Sequence, residues 1–334
     1  MKILFFYNEE WEKDYFQKGI GDNINVEFLK GRAQDHSEFK DDEAEILSVF
    51  VGSQIDSAVF DKFPNLKYVA TRSTGFDHID IGEAKKRNIV VSNVPAYGSV
   101  TVAEFTFALL LSVSRKIFPA YDQILEQGNF EKEGLRGFDL KDKVLGVIGT
   151  GKIGQHVIQI AKGFGMEVVA FDVNKDEKMA KEKGFEYLEM GEVLARSDVI
   201  TLHLPFNSYT KHIINKESFG KMKKGVVLIN TSRGGVMETQ ALVEALKDGT
   251  VAGAGLDVLE AEIYMGKELD LLRNEDSKEE DIDTVLNNEY LIENPNVIIT
   301  PHNAFNTQEA IERIFDTTVT NIKSFSQGEL INKI

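Results

Sequence analysis

Short apolar runs recur at residues 3–7, 26–29, 46–51, 68–71 and 89–92, and the stretches between them, such as 10–17 and 81–87, carry apolar positions at helical spacing. That alternation predicts a parallel sheet with crossover helices up to about residue 93. It resumes farther on, with strands expected at 144–148, 199–202, 226–229, 251–256 and 297–299. A helix is expected at 239–247, stopped by Gly249, and another closes the chain over about 307–325. Residues 101–117, TVAEFTFALLLSVSRKI, break the rhythm because they are apolar on nearly every side. The segment is too short for a membrane span and is interrupted by Glu104, Thr106, Ser112 and Ser114. It reads as a helix buried on several faces, between domains or at a subunit interface. Gly128, Gly134 and Gly137 mark a loop after it, and residues 274–283, NEDSKEEDID, read as part of a solvated surface insertion.

The unit at 144–172 carries the most specific local signal. An apolar run leads into Gly149-Thr150-Gly151-Lys152-Ile153-Gly154, then a helical stretch, a second apolar run and Asp172. This is the layout of a dinucleotide fingerprint. Gly149 permits the tight turn, Gly151 lets a pyrophosphate reach the backbone, and Gly154 lets helix pack on strand. N–H groups at the helix start are free to bind phosphate. A carboxylate at Asp172 can accept the ribose hydroxyls and would repel a 2′-phosphate, so NAD is expected over NADP, with Lys175 as the one nearby cation on the other side of the argument. A glycine turn that binds nothing is the plainer alternative.

Composition narrows the partners. With 334 residues, about two domains are expected, and 42% hydrophobic with 28% charged residues is the balance of a soluble globular protein. A net charge of -16 argues against a nucleic-acid partner, while a small anion stays possible beside a local arginine. Cysteine is absent, which removes disulfides, thiolate nucleophiles and cysteine-bound metals, and no metal is expected. The opening apolar run is too short for a signal segment, so a cytoplasmic location and no membrane partner are expected.

Ligands of doubly wound sheets bind beyond the carboxyl ends of the strands, and three reactive groups stand there. Arg233 lies in NTSRGG after the strand ending at Ile229, Asp257 and Glu262 follow the strand ending at Leu256, and His302 lies in TPHN after residues 297–299. A ketone that receives hydride becomes an alkoxide and needs a proton, which a histidine supplies near neutral pH. A neighbouring carboxylate favours the charged imidazole. An arginine fork holds a carboxylate, so a 2-oxo acid is the natural substrate. Arg233 could also be a loop cation between domains, and Glu262 alone a solvated surface acid. His36, His212 and His156 fit a catalytic role less well, His78 reads as a turn residue, and His203 could line a cofactor groove or merely precede the Pro205 loop.

Taken together, GVIGTGKIG, HLP, NTSRGG, AGAGLDVLEAE and TPHNAF, in this order, resemble the D-isomer-specific 2-hydroxyacid dehydrogenases. TRSTGFDHIDI and NVPAYGSVTVAEFTFALLL extend the resemblance over nearly the whole chain, and HNAF with the long segment after Glu262 is most similar to the D-lactate dehydrogenase branch. The resemblance implies an α/β chain of two doubly wound parallel-sheet domains, a Rossmann nucleotide domain at 101–301 inserted into a flavodoxin-like substrate domain at 1–100 plus 302–334. It implies His302 as acid and base, Glu262 as its partner and Arg233 as the group that binds and activates the 2-oxo acid. Asp257 would meet the nicotinamide carboxamide, with His203, Pro205 and Thr231 also on the cofactor. Backbone N–H groups at Ser73, Thr74 and Gly75 would hold the substrate carboxylate, and Tyr97, Phe50 and Phe305 would line the side-chain pocket. A homodimer through the helix at 101–117 is implied as well.

Lys152 stands where many members carry arginine, Glu238 where aspartate is common, and Thr74 where valine or alanine is common; only Thr74 bears on substrate fit. The expected activity is NAD-dependent reduction of a 2-oxo acid, with pyruvate to D-lactate the leading choice. Rivals are the same chemistry on hydroxypyruvate, phenylpyruvate, a branched 2-oxo acid or, less readily in a chain that stops soon after its last helix, 3-phosphoglycerate. A non-catalytic NADH-sensing protein is the rival from another class, and a methyltransferase would have no need of Arg233, Glu262 and His302.

Overall fold

Continuous Val, Ile, Leu and Phe runs become strands because a parallel sheet covered by helices can bury both of their faces. β1 (Lys2–Tyr7), β2 (Asn25–Lys30), β3 (Ala44–Val49), β4 (Tyr68–Thr71) and β5 (Val90–Ser92) pair in the order β2-β1-β3-β4-β5. That is the flavodoxin-like strand order. β6 (Val144–Ile148), β7 (Glu167–Phe171), β8 (Glu186–Tyr187), β9 (Val199–Leu202), β10 (Val226–Asn230), β11 (Val251–Leu256) and β12 (Val297–Ile299) pair in the order β12-β11-β10-β9-β6-β7-β8, the Rossmann order with one added strand. Every ladder between these strands is parallel. The computed structural model describes residues 1–36, 38–266 and 279–334. Contacts divide them into one unit of Met1–Gly98 with Asn306–Ile334 and another of Ser99–Phe305.

In the larger unit alternate residues of one strand feed opposite cores. Leu228 packs with Leu202, Leu242 and Leu256, whereas Val227 and Ile229 pack with Leu110, Val147 and Ile158. The helix Ser99–Ser114 lies on the second face against β10, β11 and β12, burying Phe107, Leu109, Leu110 and Val113. Gly253 and Gly255 of β11 admit it. A Cβ at Gly255 would stand 2.9 Å from the Cβ of Leu109, and one at Gly253 would stand 2.9 Å from Val113 Cγ1. Replacing either glycine with a larger residue would force the helix outward at an overpacking cost of about 1–3 kcal/mol.

The helix expected over 101–117 is present as Ser99–Ser114, and its last expected residue, Ile117, opens a second helix. The backbone between them turns left-handed at Lys116, φ +54, and the second helix runs Ile117–Gln127 to a left-handed Gly128. Apolar spacing continues across that break, so periodicity could not find it. Of the acidic run at 274–283, residues 274–278 lie outside the described residues, and 279–283 start the helix Glu279–Glu293. In the smaller unit the last helix, Gln308–Ser326, returns to pack on the helix Glu10–Ile20 and on β4. No helix among the described residues is long and apolar enough to cross a membrane.

Candidate active site

β6 ends at Ile148 and the chain turns at Gly149, φ +96, where a Cβ would stand 2.5 Å from the carbonyl oxygen of His203. A Cβ at Gly154 would collide with the carbonyl of Gly149, whereas one at Gly151 would meet no heavy atom within 4 Å. Close packing on two sides and open space over Gly151 form a cradle for a pyrophosphate. The helix Lys152–Gly163 starts there with Gly151 as N-cap and no side chain capping it, so its leading N–H groups, including those of Lys152 and Ile153, face that space. The residues present fit a dinucleotide.

Asp172 follows β7. Its Oδ2 accepts the N–H of Thr150 at 2.7 Å and the Thr150 hydroxyl at 3.0 Å, and its Oδ1 accepts the N–H of Asn174 at 2.9 Å. Thr150 is therefore turned inward, 4% exposed, and acts on Asp172. Lys175 is paired with Glu189 at 2.8 Å, which engages the cation that would favour a 2′-phosphate. His203 bonds Thr201 Oγ1 through Nε2 at 2.9 Å, and its buried Nδ1 has no partner among the described residues. Burial pushes this imidazole down to about 3, so it is neutral at physiological pH. Pro205 is exposed and its carbonyl accepts the Thr210 hydroxyl at 2.6 Å, while Thr231 is buried with its hydroxyl 3.0 Å from that of Thr106.

Arg233, Glu262 and His302 follow three adjacent strands, β10, β11 and β12. Asn230 shapes the loop under Arg233. Its Nδ2 donates to the Arg233 carbonyl at 3.0 Å and its Oδ1 accepts the N–H and hydroxyl of Ser232. Arg233 Nη1 donates to the Ser232 carbonyl at 2.8 Å. Asp257 is buried at the end of β11. Its Oδ1 accepts the hydroxyl of Thr300 at 2.6 Å and the N–H of Asn303 at 2.8 Å, and its Oδ2 accepts the N–H of Ala304 at 2.8 Å. The Asp257 carbonyl accepts the N–H of His302 at 2.8 Å. Burial raises this carboxyl above its ordinary range against the pull of those donors. Its bonds are made to the loop that carries His302.

His302 Nδ1 lies 3.0 Å from Glu262 Oε1. Desolvation opposes the Glu262 charge, but the His302 hydrogen bond and charge, the Leu259 N–H and the positive charge of Arg233 together hold the carboxyl below its ordinary value. An ionised carboxylate can only accept, so Nδ1 carries the proton of that bond. Nε2 is left as the nitrogen that can give or take another. Arg233 thus belongs to the same electrostatic group as Glu262 and His302.

The remaining expected residues, Phe305 apart, follow the carboxyl ends of strands in the smaller unit. After β4, Ser73 is buried, and its hydroxyl bonds the Gly75 carbonyl at 2.6 Å and the Thr71 hydroxyl at 2.7 Å. The Thr74 hydroxyl donates to the Val94 carbonyl at 2.8 Å, which ties this loop to the chain after β5. Phe50 follows β3, and Tyr97 follows β5 with its carbonyl accepting from Arg313 Nε at 2.7 Å. Phe305 ends the larger unit and is half-buried. His78 is buried and bonds Thr71 Oγ1 through Nε2 at 3.0 Å. No cluster of His, Asp and Glu able to hold a metal ion occurs among the described residues.

Sequence reasoning passed over Asn230, Thr300 and Tyr187. Asn230 and Thr300 stand directly at strand ends beside the motifs and could have been found as the polar residues closing each strand. Tyr187 sits on the two-residue β8, too short for a periodic signal.

The family described as D-isomer specific 2-hydroxyacid dehydrogenase, NAD binding domain, matches residues 107–304. A 2-hydroxyacid dehydrogenase homolog of Haemophilus influenzae is 36% identical, covering 100% of this chain and 99% of its own. An aromatic 2-oxoacid reductase of Clostridium sporogenes is 42% identical over 78% of this chain and 76% of its own. Among solved structures, a D-lactate dehydrogenase from Aquifex aeolicus complexed with NAD and lactic acid has a TM-score of 0.85 at 36% identity, covering 98% of this chain and 96% of that one.

Proposed function

The chain belongs to the D-isomer-specific 2-hydroxyacid dehydrogenase family and is an NAD-dependent dehydrogenase, and within that family we propose that it reduces pyruvate to D-lactate. The observation that carries the chemistry is the Glu262–His302 pair at 3.0 Å, with the charge of Arg233 acting on the same carboxylate. Bound NADH supplies the hydride. Arg233 holds the carboxylate of the 2-oxo acid in its fork and polarises the adjacent carbonyl. Charged His302 gives its Nε2 proton to the oxygen as the carbonyl becomes an alkoxide and is left neutral, with Nδ1–H still bonded to Glu262. Asp257 holds the loop that presents His302. In the oxidative direction the same nitrogen takes the proton back. Backbone groups of Ser73, Thr74 and Gly75 are the further carboxylate contacts, and Phe50, Tyr97 and Phe305 the side-chain contacts.

Pyruvate is favoured by near-complete coverage of both chains in the match to the lactate-bound dehydrogenase. An aromatic 2-oxo acid is the second reading, favoured by the 42% identity to the Clostridium reductase over a shorter span. The deciding experiment is NADH oxidation against pyruvate, glyoxylate, hydroxypyruvate, phenylpyruvate and a branched 2-oxo acid, with chiral analysis of the best product. Highest kcat/KM for pyruvate with D-lactate formed supports the proposal. Phenylpyruvate preferred by tenfold would replace it with the second reading.

A homodimer is part of the same proposal, and the exposed apolar surface that supports it runs from the last residue of the expected 101–117 segment into the helix Ile117–Gln127. Ile117, Phe118, Tyr121, Ile124, Leu125 and Phe130 are all exposed, and the helix Ile117–Gln127 buries none of its residues. An apolar face of this kind on a charged chain calls for a partner surface of equal character.

A further inference from the structure

We propose that Tyr187 is a positioning residue for the cofactor's adenosine ribose, acting through Thr150 to fix the Asp172 carboxylate that selects NADH over NADPH. The inference rests on the reading of Asp172 as the ribose acceptor, and the protons of three side chains give it its direction. Thr150 Oγ1 lies 3.0 Å from Asp172 Oδ2 and 2.8 Å from the Tyr187 hydroxyl. A threonine hydroxyl has one proton, and an ionised carboxylate can only accept. The Thr150 proton therefore points to Asp172, and the Tyr187 hydroxyl must donate to the Thr150 oxygen. The reverse arrangement would set an oxygen lone pair against the carboxylate. A directed relay runs from Tyr187 to Thr150 to Asp172, each bond polarising the next.

The relay leaves one acceptor position for the ligand. A carboxylate offers roughly four lone-pair positions. Oδ2 takes the Thr150 N–H and hydroxyl, and Oδ1 takes the Asn174 N–H. The position left is on Oδ1, so one ribose hydroxyl is read with the carboxylate locked, and a 2′-phosphate would meet a charge that cannot swing away. The Thr150 N–H is also spent on Asp172, so phosphate contacts fall to N–H groups farther into the helix. Tyr187 can serve because its own place is set by the sheet. It pairs with Ala170 of β7, and its ring meets Phe185 edge-on at 5.0 Å between centroids. Without β8 the relay would have no fixed origin.

The test is equilibrium titration of NADH and NADPH into the purified protein, read by cofactor fluorescence, for the native chain and for Tyr187→Phe, Thr150→Val, Thr150→Ser and Asp172→Ala. Tyr187→Phe removes one hydroxyl and should raise the Kd for NADH roughly three- to tenfold while changing that for NADPH far less. Thr150→Val should do at least as much, and Thr150→Ser, which keeps the hydroxyl, should restore discrimination. In steady state the Tyr187→Phe loss should fall on the KM for NADH and not on kcat. If Asp172→Ala collapses discrimination but Tyr187→Phe leaves the ratio of the two Kd values unchanged, the relay is overturned and the Asp172 reading stands. Unchanged discrimination in Asp172→Ala overturns both. Loss of NADH and NADPH binding in equal measure on Tyr187→Phe would show a structural role and overturn the proposal.

Discussion

Glu262 and His302 meet through one hydrogen bond, Oε1 to Nδ1 at 3.0 Å, and a left-handed backbone point lies just before the first and at the second. Ala261, just before the carboxylate, has φ +56, and His302 itself has φ +51. Non-glycine residues in this region cost about 1–2 kcal/mol each and persist where the surroundings over-determine them. The alignment of the proton-carrying pair is held against local backbone preference.

Ala261→Val tests that alignment, because a β-branched residue tolerates a left-handed backbone poorly. The variant should lose about 1–2 kcal/mol of stability and more than tenfold in kcat. Denaturant unfolding and steady-state kinetics read the two together. Lowered stability with native kcat would mean that the backbone at Ala261 does not set the position of Glu262.

His302→Gln removes the proton donor and keeps a polar group of similar reach. A fall in kcat of roughly 10²–10⁴-fold is expected, with the Kd for NADH changed less than about twofold because the residue lies beyond β12, away from the glycine loop after β6. Native turnover in this variant would end the acid–base assignment.

Asp257→Asn replaces two acceptor oxygens by one and turns a donor toward a donor. Thr300, Asn303 and Ala304 cannot all stay bonded, so about 1.5–3 kcal/mol of stability should be lost, and kcat should fall with it as the His302 loop loosens. A variant that unfolds at the native denaturant midpoint would show the three bonds to be dispensable.

His203 gives the chain a pH-dependent stability whose sign follows from its burial. Its folded value of about 3 lies below the ordinary 6.5, so between these values the unfolded chain binds a proton that the folded chain refuses. Stability is full above 6.5 and is lost as pH falls toward 3. His203→Asn removes this contribution, and by pH 5 the native chain should have lost about 2 kcal/mol more than the variant, relative to pH 7. Urea midpoints at the two pH values measure it, and parallel declines would refute the assignment.

Phe118→Ser combined with Leu125→Glu should yield a monomer by sedimentation equilibrium if the exposed helix face is the dimer surface. A native chain that is itself monomeric, or a double variant that remains dimeric, would rule that surface out.

The sequence made the strands legible because parallel strands are short unbroken apolar runs. β4, β9, β11 and β12 occupy the expected residues. Arg233, Glu262 and His302 were visible for the same reason, since each follows such a run. Backbone conformation was not legible: nothing in the residue types at Lys116 or Ala261 signals a left-handed turn. Nor was Tyr187, whose strand is two residues long. The loop bonds of Asp257 were hidden for a different reason, since a carboxylate after a strand looks the same whether or not it also bonds its own loop.

Asp257 also has a mechanical consequence. The chain leaves the larger unit after Phe305, immediately beyond the Asn303 and Ala304 N–H groups that its carboxylate grips. Like the clamp that keeps a tug on a cable from reaching the solder joint, its bonds to Thr300 on one side and to Asn303 and Ala304 on the other pin the loop at both flanks of His302.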